Sequence, residues 1–249
     1  MDEPMPLLEV TGLAAGYGRT RIVDGVDLCV QPGTWLGLLG ANGSGKSTLL
    51  RAITGQIRLQ AGRVLIGGID LAEAPERAKQ QFGYAVDGAD LPEALTALQY
   101  LELVASIRGC AADAWPCGDL IGPLALQRWM HMRIGDCSLG TRMKISLAGA
   151  LLDGPPLLIL DESLNGLDPV ASWRIRGILR ELVEGGHHAV VLSTHMLETV
   201  ATNCSDVVFL DGGAINHRWH ATQLEAARNT AGGFEALVMQ ALLETRSAA

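Results

Sequence analysis

Short apolar runs alternate with helical patterns along most of the chain. Val26, Leu28 and Val30 alternate with less apolar residues, which predicts a strand with one buried face. Residues 35–39 form an apolar run without a polar side chain, which is typical of a strand covered on both faces. Further strands are predicted at 157–160, 189–192 and 207–210, and helices at about 139–152, 169–184 and 195–204. This alternation predicts the α/β fold class with a largely parallel sheet.

One segment, from about residue 91 to 139, departs from this alternation. Leu95, Leu98 and Leu101 have helical spacing, and no convincing strand pattern occurs among the residues around them. We therefore predict a helical insertion between two strands of the core. A short tail after residue 220 is predicted to contain two helices, at about 221–229 and 233–245.

Composition limits the function classes. The 249 residues are 48% hydrophobic and 18% charged, which excludes general disorder. The net charge of −8 argues against binding through a basic surface, so we expect no nucleic-acid partner. No apolar run approaches the roughly 18–20 residues that span a bilayer, and the acidic start is unlike a signal peptide. Five cysteines without a Cys-x-x-Cys pair favour neither a disulfide framework nor a zinc site, and we expect a cytoplasmic chain.

The strongest chemical motif is a glycine-rich loop at residues 40–48, with the sequence GANGSGKST. It matches the G-x-x-x-x-G-K-[ST] pattern of phosphate-binding loops. Its glycines let backbone amides approach phosphate oxygens, and the helix predicted at 46–53 directs its positive end at the same anion. The alternative is a glycine-rich turn that contains lysine by chance, but a predicted strand before the loop and a helix after it favour nucleotide binding. Nucleotide contacts are expected from Gly40, Asn42, Gly43, Ser44, Gly45, Lys46, Ser47 and Thr48.

Four side chains around this loop are candidates for phosphate binding, metal binding and water activation. Lys46 supplies positive charge to the β- and γ-phosphates, and the Ser47 hydroxyl can bind magnesium. The strand predicted at 157–160 ends in Asp161 and Glu162. If that strand lies beside the one before the loop, Asp161 would bind magnesium and Glu162 would polarise the attacking water.

These motifs resemble those of the ATPase subunit of an ATP-binding cassette (ABC) transporter, over residues from about 7 to 220. Residues 40–48 match the family's Walker A loop, residues 157–161 its Walker B strand, and residues 165–168 its D-loop. The resemblance implies a P-loop NTPase core with a mostly parallel sheet, an N-terminal antiparallel β part and an inserted α-helical subdomain. It also implies two units, an ATPase domain at 1–220 and a short helical C-terminal tail at 221–249.

The resemblance assigns roles to Tyr17, Glu162 and His195. Tyr17 stands where the family has an aromatic residue that stacks on adenine, and Glu162 stands at the catalytic glutamate. Ser-Thr-His at 193–195 resembles the switch segment whose histidine senses the γ-phosphate, which makes His195 a catalytic candidate. The alternatives are that Tyr17 is a half-buried loop aromatic and that His195 is an ordinary histidine at a strand end.

The sequence departs from the family pattern at two places. The signature Leu-Ser-Gly-Gly-Gln reads Cys-Ser-Leu-Gly-Thr at 137–141, so Leu139 replaces the first glycine while Ser138 and Gly140 remain to bind a γ-phosphate. Asp87 stands where the Q-loop usually has glutamine. The Asp87 carboxylate could bind magnesium, and a plain loop residue without metal contact is an equal alternative.

The resemblance also implies a mechanism and partners. Two subunits pair head to tail, a homodimer being the simpler expectation, so Ser138 and Gly140 act on ATP bound at the other subunit's Lys46. With ATP and Mg²⁺ as cofactors, the dimer drives separate membrane-spanning subunits from the cytoplasmic face of the inner (plasma) membrane, where it is peripheral. Asp87 and the segment Phe234–Leu237 resemble exporter ATPases and favour export. The alternatives are a soluble ABC ATPase that acts on ribosomes or DNA, and a regulatory cassette with little hydrolysis.

Overall fold

A six-stranded sheet forms the centre of the computed structural model, which describes residues 4–110, 121–228 and 233–247. The strands are β1 (Leu8–Tyr17), β2 (Thr20–Val30), β3 (Trp35–Leu39), β4 (Leu59–Ile66), β5 (Ile69–Asp70), β6 (Phe82–Ala85), β7 (Leu157–Asp161), β8 (Ala189–Thr194), β9 (Asp206–Asp211) and β10 (Ala214–Trp219). The helices are α1 (Lys46–Ile53), α2 (Pro75–Gln80), α3 (Ala97–Arg108), α4 (Leu139–Leu151), α5 (Pro169–Glu184), α6 (Leu197–Asn203), α7 (Ala221–Arg228) and α8 (Gly233–Ser247).

The central sheet has the order β10-β9-β3-β8-β7-β6. Its strands are parallel except β10, which is antiparallel to β9. This confirms the predicted α/β fold class with a mostly parallel sheet. One expectation needs correction, because β7 does not lie beside β3. β8 lies between β7 and β3, so these two strands are not hydrogen-bonded to each other. Their carboxyl ends nevertheless lie at the same edge of the sheet.

The second sheet is antiparallel, with the order β2-β1-β4-β5, and it confirms the expected N-terminal β part. α1 packs in one apolar core with both sheets: Leu49, Leu50 and Ile53 share it with Leu13 of β1 and Leu38 of β3. Six of the eight residues of α1 are buried. The helix that follows the phosphate loop is therefore fixed between the two sheets.

The opposite face of the central sheet packs on the helical segment between β6 and β7. Leu101 of α3 and Leu124 share a core with Leu158 and Leu160 of β7. The described part of this segment contains α3, single 3₁₀ turns at 127–129 and 134–136, and an isolated bridge between Thr96 and Arg133. The insertion between two core strands is thus where it was predicted, and residues 111–120 of it lie outside the described residues.

The tail continues from β10, a strand that the sequence analysis does not predict. α7 and α8 follow it, close to the predicted helices, and residue 229 of the first prediction lies outside the described residues. Trp219 at the end of β10 meets Phe234 of α8 edge to face, with the ring centroids 5.7 Å apart. The division of the chain at residue 220 stays a prediction.

Gly83 of β6 is a position where the fold requires glycine. An added Cβ would lie 1.8 Å from the backbone oxygen of Ala150 in α4. We expect Gly83→Ala to lower the free energy of unfolding by about 1–3 kcal/mol, because α4 has to move off the sheet. Urea denaturation measures the change.

Gly177→Ala is the matched control for this substitution. Gly177 lies inside α5 with no atom within 4 Å of the added Cβ, so alanine should raise stability by about 0.5–1 kcal/mol through helix propensity. Equal effects at the two glycines would contradict the close packing of α4 on β6.

Candidate functional site

The loop between β3 and α1 has the geometry of an anion-binding site. Gly43 and Gly45 adopt left-handed backbone angles, with φ of 82° and 106°, which residues with a side chain rarely adopt. Lys46 is only 5% exposed. Its Nζ donates hydrogen bonds to the carbonyl oxygens of Gly40 at 2.9 Å and Ala41 at 3.1 Å, so the ammonium group is fixed inside the loop.

Two observations show that this loop fits a polyphosphate. The N-terminus of α1 has no side-chain cap and no acidic residue in its first turn, so its amides and its dipole are available to an anion. The hydroxyl of buried Ser44 has no hydrogen-bond partner among the described residues. Asn42 and Ser47 are exposed, whereas Thr48 is buried with the apolar face of α1.

Asp161 lies at the carboxyl end of β7, beside the start of α1. Its Oδ1 atom accepts hydrogen bonds from Ser47 Oγ at 3.2 Å and from Ser193 Oγ at 2.6 Å. Its Oδ2 atom accepts one from the Tyr84 hydroxyl at 3.4 Å. A hydroxyl and a carboxylate are hard oxygen donors of the kind that Mg²⁺ prefers, so Ser47 and Asp161 fit a magnesium site.

Tyr84 stays a hydrogen-bond donor at physiological pH. Burial of the phenol, followed by the negative charge of Asp161, raises the pKa of Tyr84 well above its ordinary value. A protonated hydroxyl therefore faces the Asp161 carboxylate. This contact could not be predicted from the sequence, because Tyr84 lies on β6, a strand that no hydrophobic pattern predicts.

Glu162 lies at the centre of the site, between Lys46 and His195. One carboxylate oxygen is 3.7 Å from Lys46 Nζ, and the other is 3.3 Å from His195 Nδ1. Asn165 Nδ2 donates to the same second oxygen at 3.2 Å. The structure therefore brings together Glu162 and His195, which the sequence proposes for catalysis, and Lys46, which it proposes for phosphate binding.

Tyr17 lies half exposed at the end of β1. Arg51 of α1 donates to its hydroxyl at 3.4 Å and pairs with Asp90 at 3.6 Å. The bond to Tyr17 is the main reason that the pKa of Arg51 lies above its ordinary value. The ring is accessible beside α1, as an adenine contact requires, and that role stays a prediction.

Asp87 has a local structural role. Its exposed carboxylate accepts the Ala89 amide at 3.0 Å and caps the 3₁₀ turn at 88–90. The hydrogen bonds described for Asp161 come from Ser47, Ser193 and Tyr84 and do not include Asp87. Magnesium binding by Asp87 thus stays a prediction without a supporting contact.

Ser138 caps the N-terminus of α4. Its hydroxyl accepts the Thr141 amide at 3.3 Å, and a side chain at Gly140 would meet the Gly166 carbonyl oxygen at 2.9 Å. Within the described part of the chain, neither hydrogen bond of the Ser138 side chain goes to the phosphate loop. Leu139 beside them is half exposed. The signature segment thus presents a capped helix N-terminus that its own phosphate loop does not use.

Comparisons with known proteins identify a family for this chain. A model of the ABC transporter family matches residues 23–165. The chain is 33% identical to the ABC-type transporter ATP-binding protein EcsA of Bacillus subtilis (strain 168), over 88% of this chain and 90% of that protein. It is 34% identical to the daunorubicin resistance ATP-binding protein DrrA2 of Streptomyces coeruleorubidus, over 79% of this chain and 62% of that one.

A solved structure of the ATP-binding subunit of an ABC transporter is also similar. It superimposes with a TM-score of 0.86 at 30% sequence identity, covering 95% of this chain and 99% of that chain.

Asp168 links α4 to the N-terminus of α5. Its carboxylate accepts from Lys144 Nζ at 2.5 Å and caps α5 through the Ala171 amide at 2.9 Å. The Lys144 bond, more than the amide, lowers the pKa of Asp168. The resulting stability is therefore present above the carboxyl's ordinary pKa and is lost as pH falls through the lowered value.

We expect Asp168→Asn to weaken the loss of stability on acidification. Asparagine keeps the helix cap but does not titrate, so the parent should lose more unfolding free energy than the variant between pH 5 and pH 3. Urea titrations at both pH values measure this difference. Parallel pH profiles for the two proteins would show that Lys144 contributes nothing at this position.

Proposed function

The chain belongs to the ABC transporter family, and from this premise we propose how its residues perform the family's reaction. It is an ATP-binding and ATP-hydrolysing subunit that powers transport through separate membrane-spanning chains. The observation that supports this best is the position of Glu162 between Lys46 and His195, beside an anion-binding helix N-terminus. Those three side chains are the parts that hydrolysis needs, which favours a hydrolysing subunit over a regulatory one.

We propose that the amides of the phosphate loop and Lys46 bind the β- and γ-phosphates. Ser47 and Asp161 would hold Mg²⁺, which when bound neutralises phosphate charge. Glu162 accepts a proton from the attacking water as the bond between the γ-phosphorus and its bridging oxygen breaks, giving ADP and phosphate. His195 contacts Glu162 and would orient it towards that water, while Tyr17 would stack on adenine.

A second copy would complete each site. Ser138 and Gly140 lie at a helix N-terminus that their own phosphate loop leaves unused. In a head-to-tail homodimer, this N-terminus would approach the γ-phosphate bound to the partner's loop. Closing two positive helix ends around one polyphosphate excludes water and strengthens each contact. ATP would thus favour the closed dimer, and hydrolysis would release it.

Other chains would supply the membrane-spanning part, and this chain would bind to them at the cytoplasmic face of the membrane. Across residues 4–110, 121–228 and 233–247, no helix combines the length and apolar character that a bilayer span requires. We propose export as the direction, because one similar protein is a daunorubicin resistance ATP-binding protein. The aspartate at position 87 and the tail around Phe234 support the same direction.

The first test is purification of the tagged chain from membranes, followed by magnesium-dependent ATP hydrolysis in the recovered complex. We expect a polytopic membrane protein to co-purify. Glu162→Gln should keep ATP binding, retain the closed dimer and lower hydrolysis by at least about 100-fold, because the general base is lost.

Lys46→Ala is the control for binding and should abolish nucleotide affinity, since the phosphates lose their buried counterion. Parental hydrolysis by Glu162→Gln would refute the assignment of the base. An active ATPase recovered without any membrane protein would instead favour the alternative that acts on ribosomes or DNA.

Asp87→Gln tests whether the carboxylate at the Q-loop position binds magnesium. The observed contact of Asp87 is a turn cap. Although glutamine caps such a turn poorly, we therefore expect Asp87→Gln to leave the ATP affinity and the dependence of hydrolysis on Mg²⁺ concentration unchanged. Asp87→Asn, which keeps the cap, is the matched control. A rise in the Mg²⁺ requirement in both variants would establish Asp87 as a metal ligand.

A further inference from the structure

Ser193 lies directly opposite Asp161 in the central sheet. β7 and β8 are parallel neighbours, and their register pairs these two residues. Ser193 is fully buried, and its hydroxyl donates to Asp161 Oδ1 at 2.6 Å. Ser47 approaches the same oxygen only to 3.2 Å. Among the described residues, the shortest hydrogen bond of the Asp161 carboxylate therefore comes from a residue outside the proposed phosphate and metal ligands.

The same hydroxyl also contacts the backbone of Glu162. The Glu162 amide donates to Ser193 Oγ at 3.1 Å and to the Ser193 carbonyl oxygen at 3.3 Å. Glu162 has a φ of 49°, in the left-handed region that residues other than glycine adopt only where their surroundings fix it. One hydroxyl group thus bonds both the side chain of one acid and the main chain of the next.

We propose that Ser193 is a positioning residue that sets the orientation of both acids of the site. Its hydroxyl donates to Asp161 and accepts from Glu162, a combination that a hydroxyl provides and a methyl group cannot. The inference rests on the proposed function, because it takes Asp161 as the magnesium ligand and Glu162 as the base.

The contacts around Asp161 explain why this bond affects metal binding. Tyr84 donates to Oδ2 from β6, so the two hydroxyls of Ser193 and Tyr84 hold the carboxylate from opposite sides. Carboxylates that bind metals are commonly oriented by such outer hydrogen bonds, and losing one typically lowers metal affinity about 10- to 100-fold. Of the two, Ser193 makes the shorter bond and alone also contacts Glu162.

The test uses the full chain, a non-hydrolysable ATP analogue and Mn²⁺, whose binding is measured by electron paramagnetic resonance. We expect Ser193→Ala to lower the Mn²⁺ affinity of the protein–analogue complex about 10- to 100-fold. Affinity for the analogue in EDTA should stay unchanged, because the phosphate loop is intact. With saturating metal, kcat for ATP should remain reduced at constant KM, because Glu162 has lost its bond.

Three further variants distinguish positioning from general loosening of the fold. Ser193→Thr keeps the hydroxyl and should restore most of the metal affinity. Ser146→Ala removes an equally buried hydroxyl, which donates to the Val86 carbonyl oxygen at 2.8 Å, and should leave Mn²⁺ affinity at the parental value. If Ser193→Ala does not fold, Ser193→Cys fills the space with a weak donor and should show the same loss.

Two results would overturn the inference. One is parental Mn²⁺ affinity in Ser193→Ala, or in Ser193→Cys where the alanine variant does not fold, while Asp161→Asn loses the metal. The other is equal metal loss in the Ser193 and Ser146 variants. If Asp161→Asn itself binds Mn²⁺ normally, the proposed magnesium site is wrong, and this outcome is distinct from a failure of Ser193.

Discussion

The structure of the site depends on holding a buried positive charge at the edge of the sheet where the parallel strands end. Lys46 is buried, and burying an ammonium group is costly unless polar partners compensate. The carbonyl oxygens of Gly40 and Ala41 and the carboxylate of Glu162 provide that compensation. Their positions follow from α1, whose buried residues are packed between two sheets. The polar site is therefore held in place by apolar packing beneath it.

The main features of the fold could be predicted from the sequence where the pattern is regular. β3 and α1 have the boundaries that the sequence predicts, because a continuous apolar run and a phosphate-loop motif mark them. β6 was missed because Gly83 interrupts its pattern, although glycine is required there by the contact with Ala150. β10 was missed because polar residues interrupt its apolar ones and because it lies at the edge of the sheet. β6 in particular is defined by contacts with residues that are distant in sequence.

The candidate site shows the same division between local and distant information. Motifs predicted that Lys46, Glu162 and His195 belong together, and the geometry agrees. Motifs did not predict the bonds from Ser193 and Tyr84 to Asp161, because those bonds follow from strand register rather than from spacing along the chain. They left Asp87 either as a metal ligand or as a plain loop residue, and the contact observed for its carboxylate is a turn cap. Motifs identify the chemical groups of the site, whereas the order and register of the strands determine which of these groups are in contact.

The strand order also constrains the synthesis of the protein. β3 precedes the phosphate loop, yet its two neighbours in the sheet are β8 and β9, and Trp35 pairs with Val190, 155 residues later (190 − 35). Contacts of such sequence separation form late in folding, because a long loop has to close first. A nascent chain that has left the ribosome only as far as β7 contains the entire phosphate motif but lacks the strands that flank it. Nucleotide binding would therefore begin only after β9, which ends at Asp211, has been translated.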